Sequence, residues 1–209
     1  MRLSNRCLLT GSNLGHRAGK IRHIGLSNVD ATTIRRAQKV APVAAVQIEY
    51  SPFVLDIEHD GILAICRELG IAVVCYSPLG RGLLTSTFAK NEPVTDQKDL
   101  RQHFIPRFMK DNRDKNVEIV NDFKALADKK GVTTSQLALA WLLKQGDDII
   151  PIPGTKNIKY IEENRAALDV ELTDEEVAEV RRFVESAELA GPRLMPEHKE
   201  RFSNHTREE

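Results

Sequence analysis

Four short polar signatures punctuate the chain, each placed where an apolar, strand-forming run ends. They are Gly25-Leu26-Ser27-Asn28, Gln47-Ile48-Glu49-Tyr50-Ser51-Pro52, Tyr76-Ser77-Pro78-Leu79-Gly80-Arg81-Gly82 and Pro151-Ile152-Pro153-Gly154-Thr155-Lys156. A helical period follows each outlet, directly or after a loop. That rhythm belongs to a parallel α/β sheet whose strand ends share one rim, as in a (β/α) barrel.

The runs predict strands at Ile21–Leu26, Val43–Ile48, Ile71–Tyr76 and Ile149–Ile152. Helices are expected at Ala31–Val40 behind an Asp30 cap, at Ile57–Leu69 stopped by Gly70, and at Asn116–Lys130, Thr134–Lys144 and Asn157–Leu168. In the second of these, Gly61 shares the apolar face. Thr133 or Thr134 caps the fourth, and Thr173 with Glu176 forms a capping box for a last helix. Nothing periodic separates Tyr76 from Asn116, a connection long enough to be a lid or binding loop. The chain divides into an irregular lead-in (1–20), a barrel portion (21–190) and a charged, flexible tail (191–209). A closed TIM-type (β/α)8 barrel needs eight strands and about 250 residues. Only four strands are legible, so the expectation is an α/β half-barrel, truncated at its amino end.

Thirty basic and thirty acidic residues give a formal charge of zero, which supplies no field for nucleic acid. No apolar run approaches the ~20 residues that cross a bilayer. Three widely spaced cysteines, Cys7, Cys66 and Cys75, fit neither a disulfide framework nor a zinc site, and predict a reducing, cytoplasmic setting. Residues 1–29 lack Asp and Glu and carry Arg2, Arg6, Arg17 and Arg22, a composition shared with transit peptides, yet strand character begins at Ile21.

Strand alternation places Gln47 and Glu49 on one face and Tyr50 on the other, so a polar pair projects from an aliphatic strand. Ser27 and Asn28 fit helix capping, Tyr76 fits packing, and Gly154-Thr155-Lys156 before a helix offers a dipole, a hydroxyl and a cation to a phosphate.

The order of the four signatures through Glu162-Glu163-Asn164 resembles the carboxyl-terminal part of an aldo-keto reductase, from about Lys20 to about Glu188 and most similar to the pyridoxal reductase-like branch. The resemblance implies NADPH-dependent reduction of small carbonyl compounds. It assigns Ser27, Asn28 and Gln47 to the nicotinamide carboxamide, Tyr76 to stacking under the ring, and Ser77, Pro78, Leu79, Gly80, Arg81 and Gly82 to the diphosphate. Gly154, Thr155, Lys156 and neighbouring Tyr160 fall to the 2′-phosphate, and Glu163 and Asn164 to the adenine.

The family's catalytic tyrosine, lysine, aspartate and histidine lie upstream of the matched region, so no catalytic residue is assigned. Tyr50 faces away from Gln47, His23 precedes its strand's end, and His59 and His103 have no spaced partners for a metal. The alternatives are a non-catalytic NADP-binding or regulatory module, or a gene fragment. Open sheet edges would favour self-association.

Overall fold

A computed structural model describes residues 12–91, 99 and 101–195. Four parallel strands form one sheet in the order β1 (Ile24–Ser27), β2 (Val43–Glu49), β3 (Ala72–Tyr76) and β4 (Ile149–Pro151). Each neighbour pair is parallel, in register through Ser27↔Gln47, Gln47↔Val74 and Val74↔Ile150. All four carboxyl ends therefore emerge on one side, and the α/β half-barrel expected from the sequence is what forms.

Pleating splits these strands into two unequal faces. Val46, Ile48, Val73, Cys75 and Ile149 lie on the covered face, each 5% exposed or less, in one core with Ile34, Ile65 and Trp141 from the helices. On the opposite face the row Ser27–Gln47–Val74–Ile150 is uncovered to different degrees, with Ser27 and Gln47 exposed and Ile150 at 46%. That is the side a closed barrel would turn inward.

The helices follow from local chemistry. α1 is helical over 12–17, which corrects the irregular lead-in expected there. α2 (Ala31–Val40) starts where the Asp30 carboxylate accepts from the Thr33 N–H at 2.6 Å. The single helix expected at Ile57–Leu69 is two pieces, α3 (Asp56–His59) and α4 (Ile62–Leu69). Between them Gly61 adopts φ 82°, a left-handed conformation that glycine alone enters cheaply, so its apolar spacing concealed a break. Gly70 closes α4 as anticipated.

The described part of the connection after β3 is better ordered than its sequence suggests. It holds the 3₁₀ turn Gly80–Gly82, the short helices α5 (Ser86–Ala89) and α6 (Arg101–Phe104), a second 3₁₀ turn at Pro106–Phe108, and then α7 (Lys110–Lys130). α8 (Thr134–Leu143) and α10 (Asp174–Ser186) both begin with full capping boxes, while α9 (Ile158–Arg165) runs into a 3₁₀ turn at Ala166–Asp169. Most of the tail lies outside the described residues, but 191–195 do not fit the expected free tail. Arg193 reaches Asp56 at 3.3 Å, and fully buried Asn116 brackets Ala190 by donating to its carbonyl at 3.0 Å and accepting from its amide at 2.7 Å.

Burial pushes the Cys66 thiol up to about 11 and the Cys75 thiol to about 12. Both should resist a neutral-pH thiol reagent until the chain is denatured. Because the folded state retains these protons, stability is full below the unfolded thiol value of ~8.5 and declines as pH climbs towards 11–12. Thermal melts from neutral to alkaline pH would show a midpoint falling only above that threshold.

Candidate functional site

The rim is assembled from the four strand outlets. Ser27 and Gln47 are Cα partners on the uncovered face, and the Asn28 N–H donates to the Gln47 carbonyl at 3.0 Å. Asn28 has φ 48°, which carries its side chain against the Tyr76 hydroxyl two strands away. Tyr76 is half-buried; that burial, followed by the Glu49 carboxylate, holds its phenol above the ordinary range, so it stays neutral. One short polar side chain, Asn28, thus meets the aromatic, and Ser27 and Gln47 pair on the same face of the sheet.

Ser77 turns the chain out of β3 at φ 51°, and Gly80, Arg81 and Gly82 continue at φ 58°, 60° and 106°. Such a run of left-handed residues is strained for Ser77 and Arg81 and free for the glycines. The Gly80 and Gly82 amides close the turn on the Ser77 and Leu79 carbonyls, each at 2.9 Å, so these two donors are spent internally. Pro78 is buried beneath the turn, with Leu79 partly so. At Gly82 a Cβ would collide with Arg101 Nη1, whose guanidinium donates to the Arg81 carbonyl at 2.8 Å.

Beside β3, the fourth outlet is open. Gly154, Thr155 and Lys156 are exposed, and a Cβ built on Gly154 would meet nothing within 4 Å. Thr155 Oγ1 accepts from the Asn157 N–H at 3.1 Å, and Asn157 caps α9 in turn. Tyr160 is exposed on that helix. Glu163 is tied down: it accepts from the Thr133 hydroxyl at 2.7 Å, joining α9 to the start of α8. Asn164 borders an apolar groove of about 440 Å³ along β4, together with Ile150, Pro153, Thr155 and Ile161.

Glu49 departs from the expectation of a projecting polar pair. Gln47 is exposed, but Glu49 is 3% exposed, paired with Arg81 at 3.1 Å and with Arg193 at 3.6 Å. A carboxylate on a strand needs a cation there, and Arg81 in its glycine-flanked turn supplies one. The strand's aliphatic surroundings carried that signal; Arg193, distant in sequence, carried none. Tyr50 is fully buried and donates to Glu58, which also takes Arg181 from α10 at 2.7 Å, so it is committed to the fold. Among the described residues there is no group of three potential metal ligands.

The family model "Aldo/keto reductase family" matches residues 14–185. The chain belongs to the aldo/keto reductase family. Aldo-keto reductase yakc of Schizosaccharomyces pombe, whose name carries NADP(+), is 51% identical over 181 residues, 86% of this chain and 53% of that protein. Aldo-keto reductase str7 of Strobilurus tenacellus is 49% identical over 84% of this chain and 52% of its own length. Glycerol dehydrogenase AKR11B4 from Gluconobacter oxydans superposes with TM-score 0.75 at 29% identity, covering 90% of this chain and 56% of that structure. The aldo/keto reductase chain described here thus spans about half the length of the relatives it matches.

Removing the Glu49 charge leaves Arg81 and Arg193 facing a buried amide. Glu49→Gln should destabilise the fold by about 3 kcal/mol, read as a lowered urea midpoint at unchanged slope. A midpoint equal to that of the unsubstituted chain would show the pair to be idle.

Proposed function

We propose that this chain is the cofactor-holding part of an NADPH-dependent aldo-keto reductase that reduces small aldehydes or ketones to alcohols. One arrangement supports the reading: Ser27 pairs with Gln47, Asn28 reaches the Tyr76 hydroxyl, and the turns at 77–82 and 154–156 leave the same end of the sheet. Bound NADPH supplies a hydride. The side chains of Ser27, Asn28 and Gln47 fix the carboxamide and hence the ring face, and neutral Tyr76 offers a stacking surface.

The turn Ser77–Gly82 takes the diphosphate through the amides not used to close it and the Arg81 Nη1 that the pair with Glu49 leaves over. Lys156 meets the 2′-phosphate, with Gly154, Thr155 and Tyr160 beside it, which favours NADP over NAD. Asn164 and the free edge of Glu163 border the adenine. No described residue is assigned as proton donor, because Tyr50 is buried and engaged with Glu58. That observation favours a second reading, a module that binds NADP without turnover unless further chain completes the barrel.

Self-association rests on the edges of β1 and β4, unpaired among the described residues, and on exposed Ile150, Ile152, Ile158 and Leu168 around the latter. A cytoplasmic setting rests on the free thiols of Cys66 and Cys75. No described helix is long and apolar enough to cross a membrane.

NADPH binding, followed by nicotinamide fluorescence, should weaken about tenfold in Tyr76→Ala. Lys156→Ala should lose about tenfold or more for NADPH while leaving NADH unchanged. Absence of NADPH binding, or equal losses for both nucleotides in the lysine variant, would contradict the assignment.

A further inference from the structure

A second cavity, of about 580 Å³, opens between the loop after β2 and the carboxyl-terminal segment, bordered by Phe53, Leu55, Asp56, Asp60, Arg107 and Arg193. Its charges are paired unevenly. Glu49 and Asp56 are served by Arg81 and Arg193. Asp60 spends its carboxylate on the Ile62 N–H at 3.0 Å, at the start of α4. Arg107 has no ion pair among the described residues; one nitrogen donates to the Phe53 carbonyl at 3.3 Å, and its Nε is buried without any partner. Burial, only partly offset by the more distant Glu49, holds this guanidinium below its ordinary value.

An unpaired guanidinium under such desolvation is costly unless something answers it. The surroundings are nevertheless built to keep it there. Asn116 donates to the Arg107 carbonyl at 2.9 Å with the same amide group that holds Ala190, so one side chain fixes the two segments bearing Arg107 and Arg193. Asn112 donates to the Pro106 carbonyl at 2.9 Å, and a Cβ at Gly191 would collide with that asparagine. A preorganised guanidinium with no direct ion pair, met only by the more distant Glu49 and Asp56, is open to a carboxylate.

We propose that this cavity binds the carboxylate of a small organic anion, with Arg107 as the group that receives it. Glu49, Asp56 and Asp60 offset Arg81, Arg193 and Arg107 in formal charge, so the ligand answers the missing partner at Arg107 rather than a net charge. The Arg107 Nη donors not spent on the Phe53 carbonyl suit a carboxylate, and the Phe53 and Leu55 walls suit an apolar body behind it. The cavity touches the turn at Arg81 through Arg193 and Glu49, but the assignment of Arg107 does not depend on the cofactor reading.

Titrating the full chain with sodium benzoate, benzamide and inorganic phosphate, followed by amide NMR without nucleotide, tests the proposal. Benzoate should give saturable shifts at residues 53–60 and 107, and benzamide none. Arg107→Gln should weaken benzoate about tenfold or more, with Arg107→Lys recovering only part of it. Should Arg107→Gln fail to fold, the benzoate–benzamide contrast on the unsubstituted chain still decides. Equal responses to benzoate and benzamide, or phosphate binding as tightly as benzoate at the same resonances, would overturn the carboxylate assignment.

Discussion

Parallel pairing governs what this molecule can offer a ligand. A parallel strand cannot return by a tight turn, so a crossover joins each strand to the next, and all four carboxyl ends gather on one side. Register then decides which side chains meet. Ser27 stands beside Gln47, and Glu49 beside Tyr76, because the ladder aligns them; the outlets at 77–82 and 154–156 inherit their positions from the same ladder.

The two faces of the sheet have divided the work. One is sealed by helices around Val46, Val73 and Trp141, and its packing holds the strands in place. The other leaves Ser27, Gln47 and Ile150 open; water or a ligand can satisfy the first two, whereas Ile150 is apolar surface left uncovered. Where a charge does enter the interior, at Glu49, two arginines from separate segments meet it. The same carboxylate, after burial, raises the phenol of Tyr76, so the ion cluster and that phenol are electrostatically linked.

Most of the scaffold was legible in the chain because its signals are local. Asp30, Gly70, Thr133 and Thr173 announce helix boundaries through hydrogen bonds made within a few residues, and the strand runs show in their β-branched content. The failures are equally physical. Gly61 fits a helical face by spacing while its backbone takes a left-handed turn, and α7 begins six residues before the expected Asn116 because a polar first turn leaves no apolar period. Of the candidate site, the outlets were visible as motifs. The clamp of Asn116 on Ala190, the pairing of Arg193 with Glu49 and the isolation of Arg107 were not, since each joins residues far apart in sequence or rests on desolvation.

The central claim is spatial: nicotinamide, diphosphate and adenosine contacts follow one another along a single rim. A crystal structure of the chain grown with NADP tests it most directly. The account predicts continuous nucleotide density from the Tyr76 ring, past Arg81, to Lys156. Density on the helix-covered side, or with the adenosine and nicotinamide ends exchanged, would contradict it.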